Sequence, residues 1–339
     1  RDLPSSPTRR SPDLAPLPLA RILRGVCVAM MRPLPPASVN MIFADPPYNL
    51  QLRQELWRPN QTRVEGVDDD WDQFDDFQAY DQFTREWLAG CRRVLKPEGA
   101  LWVIGSYHNI YRVGGMLQDL GFWILNDVVW VKANPMPNFR GVRFTNAHET
   151  LIWAQKERGA RYTFHYQAAK TLNEGLQMRS DWYLPICTGA ERLRENGEKV
   201  HSTQKPEALL YRILASTTNP GDVVLDPFFS TGTTGVAAKR LHRRWIGIEE
   251  NSRYAELARQ RIAAVPAEEY QPEWFETPNP RLGKRIPFGL LVEHGRLRPG
   301  QSLYFEGMED REAVILADGA IEYNGRRGSI HQVDHGQVV

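Results

Sequence analysis

Residues 223–264 decide the fold: VVLDPFFSTGTTGVAAKRLHRRWIGIEENSRYAELARQRIAA. The apolar run at 223–226 predicts a buried strand, and 232–241 predicts a helix. A second strand at 245–249 and a second helix at 251–264 follow. Strands that alternate with helices in this way are typical of a parallel sheet covered by helices. The segment therefore predicts an α/β protein.

The turn after the first of these strands has the features of a ligand site. Gly232 lets a ligand approach the backbone closely. Glu249 ends the next strand 23 residues after Asp226, near the spacing at which nucleoside-binding sheets hold a ribose. No phosphate-loop lysine is present, and Ser230 interrupts the dinucleotide pattern G-x-G-x-x-G. A nucleoside without a pyrophosphate is the better prediction; a tight turn followed by a surface glutamate is the alternative.

Asp45-Pro46-Pro47-Tyr48 follows another predicted strand, residues 39–44. Two prolines end a sheet ladder and leave carbonyl oxygens without local partners. Asp45 and the Pro46 carbonyl can each accept one N–H of a planar exocyclic amine, which draws its nitrogen toward tetrahedral geometry. Tyr48 can then stack on a base that has been flipped out of a duplex. An ordinary polar turn is the alternative.

Composition excludes several classes of protein. The 339-residue chain is 42% hydrophobic and 24% charged, which excludes a wholly disordered or collagen-like chain. It has no apolar run of about 18 residues, so no membrane span is expected, and no signal-peptide pattern. Cys27, Cys91 and Cys187 form neither a metal-ligand spacing nor a disulfide framework. We therefore expect a cytoplasmic protein without a metal.

The chain divides by composition into four parts. Residues 1–20 are rich in Pro, Ser and Arg and predict a disordered leader. Residues 21–265 form the α/β domain, the proline-rich residues 266–286 a linker, and residues 287–339 a small unit with strand-like segments. The acidic residues 65–82, with seven Asp and one Glu, predict a solvated loop running into a helix.

Residues 130–170 hold seven Lys and Arg against two Glu. This imbalance indicates a polyanion-binding face, and a solvated surface is the plainer alternative. Long polar loops at 133–147 and 155–200 are of a kind that is usually functional or disordered.

The two motifs together resemble the S-adenosylmethionine-dependent amino-methyltransferases of DNA. The D-P-P-Y motif precedes the cofactor loop, as in their permuted beta group, and His201-Ser202-Thr203-Gln204-Lys205-Pro206 resembles that group's H-P-T-Q-K-P motif. Over about residues 22–333 the chain resembles the cell-cycle-regulated DNA adenine methyltransferases of alphaproteobacteria. That likeness is carried by residues 43–52, 102–111, 134–140, 146–153 and 177–182.

The resemblance implies a fold and an activity. Residues 21–265 would form a circularly permuted, Rossmann-like class I methyltransferase sheet, with target-recognition loops within 133–200. Residues 287–339 would form a small C-terminal α+β DNA-binding domain that is truncated at Val339. The implied reaction transfers a methyl group from S-adenosyl-L-methionine to adenine N6 in double-stranded DNA, within GANTC, by base flipping. A homodimer and association with the bacterial nucleoid are further expectations.

The resemblance also implies roles for individual residues. The implied catalytic residues are Asp45, Pro46, Pro47 and Tyr48. The implied cofactor-binding residues are Thr203, Gln204, Lys205, Asp226, Phe228, Phe229, Ser230, Gly232, Thr233, Glu249 and Asn251. The implied DNA contacts are Trp57, Arg140, Asn146, His148, Arg179, Ser180, Ser329 and His331. Each DNA contact taken singly is open to a surface or structural role, His148 as a core histidine and Trp57 as a packing residue.

Two departures bear on activity. Val26 stands where the family has an Asp expected to hold the cofactor's adenine, and one such lost hydrogen bond costs about 1–3 kcal/mol. Ser230 stands where the family has Gly; if its φ is positive, the strain is about 1–2 kcal/mol. A catalytically weak DNA-binding module therefore stays open as an alternative. Cytosine-N4 methylation, which uses the same amine geometry, and, less favoured by the loops, RNA or protein methylation also stay open.

Overall fold

The computed structural model describes residues 16–50, 56–57, 63–64, 72–138, 141–195, 198–201, 203–266, 288–304 and 312–329. The chain divides into two compact units, Arg1–Thr277 and Pro278–Val339. The predicted linker, residues 266–286, lies outside the described residues except for Pro266.

The helices and strands of the first unit alternate along the chain. Its helices are α1 (Cys27–Met31), α2 (Phe77–Val94), α3 (Ile110–Asp119), α4 (Tyr166–Thr171), α5 (Glu207–Thr217), α6 (Thr233–Arg240) and α7 (Ser252–Ala263). Its strands are β1 (Arg21–Arg24), β2 (Val39–Ala44), β3 (Leu56–Trp57), β4 (Arg63–Val64), β5 (Leu95–Gly105), β6 (Trp123–Lys132), β7 (His148–Gln155), β8 (Asp181–Leu184), β9 (Arg194–Glu195), β10 (Glu198–Lys199), β11 (Val223–Asp226) and β12 (Arg244–Glu249).

Eight of these strands form one sheet in the order β1-β12-β11-β2-β5-β7-β6-β8. All neighbouring pairs are parallel except those of β7, which runs antiparallel to both β5 and β6. The carboxyl ends of the other seven strands therefore meet at one edge. The first residues of β7 lie at that same edge because β7 is reversed.

Both faces of the sheet are covered, which explains its apolar strands. Helices α5, α6 and α7 pack on one face with a tryptophan group in which Trp102 stacks on Trp153 at 5.3 Å. Helices α1, α2 and α3 pack on the other face. A sheet covered on both sides needs strands that are apolar throughout. Accordingly, every residue of β2 except Asn40 is buried.

Most sequence predictions for this unit are confirmed, β2 and β11 with their bounds. The sequence Pro97-Glu98-Gly99 by itself predicts a turn, but that prediction is wrong, because β5 runs through these residues. The prediction that the disordered leader extends to residue 20 is wrong for its last residues. Leu17 and Leu19 pack against the core, and the Ala20 N–H donates to the Trp245 carbonyl at 2.7 Å.

The second unit has its own small core. Helix α8 (Phe288–Glu293) accompanies a four-stranded antiparallel sheet of β13 (Ser302–Tyr304), β14 (Glu312–Ile315), β15 (Ile321–Tyr323) and β16 (Arg326–Gly328). Ala313, Ile315 and Ile321 form its buried centre, with Phe288 packed against them.

Three further observations concern the described residues. None of the helices that the structure describes is long and apolar enough to cross a membrane. No group of His, Cys, Asp and Glu among those residues could hold a metal ion. All three cysteines are buried and free.

The turn between β11 and α6 contains two residues with positive φ, separated by Thr231. Ser230 has φ +48° and Gly232 has φ +78°. A Cβ at Gly232 would lie 2.8 Å from the Cβ of Ala258, so a larger residue does not fit there. Because the φ of Ser230 is positive, the strain expected at this residue is present, since left-handed backbone is unfavourable for a residue with a Cβ.

Replacing Ser230 by glycine is expected to raise the free energy of unfolding by about 1 kcal/mol, because glycine adopts this conformation without strain. Urea denaturation of the protein without ligand measures the effect. Ser252→Gly, in the first turn of α7, serves as the control and should lower stability. A Ser230→Gly protein no more stable than the parent would show that the turn relieves the strain in another way.

Candidate active site

The acidic residues of both motifs meet at the carboxyl edge of the sheet. Asp45 follows β2, Asp226 ends β11 and Glu249 ends β12. Glu149 is the second residue of the reversed strand β7, opposite Trp130 of β6. Ligands bind at this edge in open α/β sheets, so the fold gathers these carboxylates where a ligand would lie.

Five side chains form what we call the catalytic cluster: Asp45, Tyr48, Lys132, Glu149 and Lys205. The Lys205 Nζ lies 2.6 Å from Asp45 Oδ2 and 3.8 Å from Glu149 Oε2. The Lys132 Nζ lies 2.8 Å from Glu149 Oε1. The Tyr48 hydroxyl is within reach of both acids, 3.1 Å from Asp45 Oδ1 and 2.9 Å from Glu149 Oε2. Two ammonium groups thus face two carboxylates.

Burial and charge act on these groups in opposite directions. Burial raises the pKa of Asp45 although Lys205 lies beside it. Burial would also raise the pKa of Glu149, but Lys205 and Lys132 outweigh it and hold that pKa below its ordinary value. Burial and the two carboxylates raise the pKa of Tyr48. Glu149 is therefore the firmly ionised acid, and Tyr48 keeps its proton.

The backbone of the D-P-P-Y loop is held by two further side chains. The buried Asp72 carboxylate accepts the N–H groups of Tyr48, Asn49 and Leu50 at 2.6, 2.8 and 2.9 Å. The Tyr80 hydroxyl donates to the Pro47 carbonyl at 3.1 Å. Among the described residues no donor reaches the Pro46 carbonyl, which leaves this oxygen available to a ligand.

A narrow cleft, called here the Asp226 cleft, opens beside the catalytic cluster. Its lining residues are Phe43, Asp45, Thr203, Gln204, Lys205, Leu210, Asp226, Phe228, Phe229, Ser230, Thr231, Thr233 and Thr234. Asp226 accepts the Phe228 N–H at 2.9 Å and the Thr234 hydroxyl at 2.6 Å. Burial raises the pKa of Asp226 to about 7. A positively charged ligand would favour its ionised form.

Glu249 connects the cleft turn to the end of β12. Its carboxylate accepts the N–H groups of Ser230 and Asn251, each at 2.7 Å. The Ser230 hydroxyl is buried and has no partner among the described residues. Val26 lies just beyond β1, which pairs with β12, and its half-exposed side chain offers no hydrogen-bond acceptor there.

The other expected cofactor residues differ in their surroundings. Phe228 lies edge-on to Trp87 at 5.3 Å, whereas Phe229 is 2% exposed and stacks on Trp245. The Thr233 hydroxyl donates to the Lys205 carbonyl at 3.3 Å and so links α6 to the catalytic cluster.

Two expected cofactor residues have their side chains engaged by backbone. The Gln204 amide accepts the Leu193 N–H at 3.1 Å and donates to the Glu191 carbonyl at 2.9 Å. Asn251 caps α7 by accepting the N–H groups of Arg253 and Tyr254. A cofactor role for these two residues stays a prediction.

The expected DNA contacts fall into two groups. Asn146, His148, Arg179, Ser180 and Ser329 are exposed, so the core-histidine alternative for His148 is wrong. Arg179 is paired with Asp181 at 2.8 Å. Arg140 and His331 lie outside the described residues. For Trp57 the structure describes only the backbone, which belongs to β3 and pairs with β4.

Sequence reasoning missed three residues of the site. Asp72 belongs to the acidic stretch that was expected to be solvated, and that expectation is wrong for Asp72, which is 2% exposed. Lys132 was counted with a DNA-facing basic segment, but it is paired with the buried Glu149. An acid at the start of an otherwise apolar strand, as in Glu149–Trp153, is the signal that could have identified Glu149.

The fold and the site define a class I S-adenosylmethionine-dependent methyltransferase. Residues 39–260 match the family described as DNA methylase. The chain belongs to this DNA methylase family.

Relatives and a solved structure support the same class. The chain is 46% identical to the type II methyltransferase M.HinfI of Haemophilus influenzae over 317 residues, 93% of this chain and 87% of that protein. It is 44% identical to M2.DpnII of Streptococcus pneumoniae over 231 residues, 68% of this chain and 84% of that protein. The crystal structure of the M1.HpyAVI–SAM complex superposes with a TM-score of 0.54 at 27% identity, over 71% of this chain and 98% of that chain.

S-adenosyl-L-methionine is the cofactor, and the Asp226 cleft fits it. The cofactor carries a sulfonium and an ammonium group; the carboxylate of Asp226 lines the cleft and that of Glu249 lies beside it. The unpartnered Ser230 hydroxyl can bond a polar group of the ligand. Phe228 supplies an aromatic wall.

Asp72→Asn is expected to loosen the D-P-P-Y loop, because one carboxylate oxygen that accepts backbone N–H groups becomes an amide NH₂. Losing such charge-assisted bonds costs about 1–3 kcal/mol. Thermal unfolding should show lower stability, and methyl transfer should slow more than cofactor binding weakens. The exposed Asp75→Asn is the control. Equal behaviour of the two variants would contradict the role assigned to Asp72.

Cofactor binding is expected to stabilise the protein more at pH 8 than at pH 6. Because the folded pKa of Asp226 is raised to about 7, its contribution to stability is complete below about pH 4 and is lost as the pH rises through 7. A cationic ligand offsets this loss once Asp226 is ionised.

Thermal unfolding with and without S-adenosyl-L-methionine at both pH values measures this dependence. In Asp226→Asn the shift in Tm should be smaller and nearly independent of pH, whereas Asp318→Asn in the second unit should behave as the parent. A parent protein with the same shift at both pH values would refute this reading of Asp226.

Proposed function

We propose that this DNA methyltransferase transfers the methyl group to adenine N6 in double-stranded DNA, within GANTC, and flips the target base out of the duplex. The observation that carries the proposal is the pair of acceptors at the D-P-P-Y loop. Asp45 lines the Asp226 cleft, and the carbonyl of the next residue, Pro46, accepts no hydrogen bond from the described residues. Two acceptors on adjacent residues suit the two N–H groups of one amine.

The acceptors do their chemistry by orienting the amine. An exocyclic amine delocalises its lone pair into the ring and is a poor nucleophile; two hydrogen bonds draw the nitrogen toward tetrahedral geometry and expose the lone pair. Tyr48 stacks on the flipped base, since a ring in the pocket of a base-flipping enzyme replaces lost stacking. Asp45 takes the proton that the amine loses. Its raised pKa favours that step.

The cofactor, when bound, supplies a methyl group on a sulfonium, which is already a good leaving group. The residues that would hold it are Asp226 and Phe228, which line the Asp226 cleft, and Glu249, which bonds the backbone of Ser230 beside it. Holding both reactants in line supplies much of the rate. No metal is needed for this chemistry.

DNA recognition is proposed for the polar segments that lead into β7 and β8. Asn146, His148, Arg179 and Ser180 are exposed, and these residue types contact phosphates and base edges. The GANTC target rests on the resemblance of the loops to the alphaproteobacterial enzymes. Ser329 of the second unit, a homodimer and nucleoid association belong to the same proposal.

Asp45→Asn is expected to abolish methyl transfer while cofactor affinity stays within about threefold, because the lost carboxylate acts on the amine and its proton. The protein is incubated with labelled cofactor and one of two duplexes, one containing GANTC and one with that adenine replaced. Mass analysis of the nucleosides should show N6-methyladenine in the first duplex only. Isothermal calorimetry measures cofactor affinity.

Other outcomes of these measurements would favour one of the alternative functions or contradict a part of the proposal. N4-methylcytosine would overturn the choice of base, and equal labelling of both duplexes would overturn the target sequence. Unchanged turnover of Asp45→Asn would end the mechanism. Cofactor binding without any product from the parent would favour the DNA-binding module.

A further inference from the structure

The hydroxyl of Tyr48 lies between two carboxylates, and it can serve only one of them as a donor. It is 3.1 Å from Asp45 Oδ1 and 2.9 Å from Glu149 Oε2. A phenol carries a single proton. Which acid receives that proton therefore decides how many acceptor sites Asp45 has left.

Each oxygen of the Asp45 carboxylate already has one donor within hydrogen-bond distance. Its Oδ2 accepts the Lys205 ammonium at 2.6 Å, so Oδ1 is the oxygen left for the amine of the target base. A proton from Tyr48 on Oδ1 would compete with the amine N–H for the same oxygen. The proposed reaction is therefore faster when the Tyr48 proton points elsewhere, because both lone pairs of Oδ1 are then open to the amine.

The surroundings of Glu149 make it the better acceptor. Its distance to the Tyr48 oxygen is the shorter one, and its two oxygens face Lys132 at 2.8 Å and Lys205 at 3.8 Å. These two lysines keep Glu149 ionised and lower its pKa against the effect of burial.

We propose that Glu149 is a positioning residue that draws the Tyr48 proton away from Asp45 and so keeps Asp45 Oδ1 open for the amine of the target base. The inference rests on the proposed function, because it concerns the same amine. Glu149 touches neither the base nor the cofactor in this role and acts through Tyr48. It reaches the cluster only because β7 is reversed in the sheet.

The Glu149→Gln variant is expected to reverse the direction of the hydrogen bond between residue 149 and Tyr48. Lys132 at 2.8 Å from Oε1 will retain the amide oxygen, so the NH₂ group takes the position of Oε2 beside Tyr48. That group donates to the Tyr48 oxygen, and the Tyr48 proton then turns to Asp45. Because hydrogen bonds to charged groups are strong, methyl transfer should slow by about tenfold or more.

The decisive measurement is a double-mutant cycle with Tyr48→Phe, which keeps the ring and removes the proton. Single-turnover methylation of the GANTC duplex at saturating cofactor is measured for the parent, Glu149→Gln, Tyr48→Phe and the double variant. The Glu149→Gln effect should shrink from about tenfold to less than about threefold in the Tyr48→Phe background, since interacting residues are not additive.

Two further variants and a binding assay exclude simpler explanations. Glu149→Leu/Lys132→Met keeps equal numbers of positive and negative charges in the cluster and leaves Asp45 as the acceptor for the Tyr48 proton, so the rate should stay low. The exposed Glu157→Gln should match the parent. Calorimetry should give cofactor affinities within about threefold of the parent for Glu149→Gln, because the residue acts on the amine step.

Three results would overturn the inference. The first is a Glu149→Gln effect of the same size with and without the Tyr48 hydroxyl, and the second is full recovery in the charge-balanced variant. The third is a loss of cofactor binding that accounts for the whole rate change. Failure of the proposed function looks different, since the parent itself would then leave adenine N6 unmodified.

Discussion

The ion pair between Asp45 and Lys205 is the contact on which the rest of the site depends. It joins residues 160 positions apart at 2.6 Å and brings the D-P-P-Y loop against the loop before α5. Burying two charges is costly unless further hydrogen bonds satisfy them. Glu149 places a second carboxylate 3.8 Å from Lys205, and Lys132 and the Tyr48 hydroxyl contact Glu149 at 2.8 and 2.9 Å. The catalytic cluster therefore holds as many ammonium groups as carboxylates.

The remaining parts of the site hold the backbone around this pair. Asp72 and Tyr80 engage the peptide groups on the carboxyl side of the two prolines, and the Pro46 carbonyl is left open. On the cofactor side Ser230 combines a left-handed backbone with an unpartnered hydroxyl. Strain of this kind is found where a site is shaped for a ligand rather than for stability. The protein thus gives up stability at both the amine side and the cofactor side.

Local sequence patterns were enough to predict the alternation of strands and helices and the place of both motifs. Apolar runs, one glycine-containing turn and two stretches with helical periodicity, all within about forty residues, predict the β11–α6–β12–α7 segment. The same reasoning failed for Asp72 and Lys132. A run of acids or bases is usually solvated, and local sequence does not show which member of the run finds a buried partner.

The sequence by itself determined the α/β class, the D-P-P-Y and cofactor-loop motifs and the family resemblance, because each depends on residues close together along the chain. Only the tertiary structure decided that Glu149 faces Tyr48, 101 residues away, and that Lys205 faces Asp45. The antiparallel direction of β7 and the order of the strands in the sheet set those distances. Charge pairing and hydrogen bonding depend on separations in space, which local periodicity does not contain.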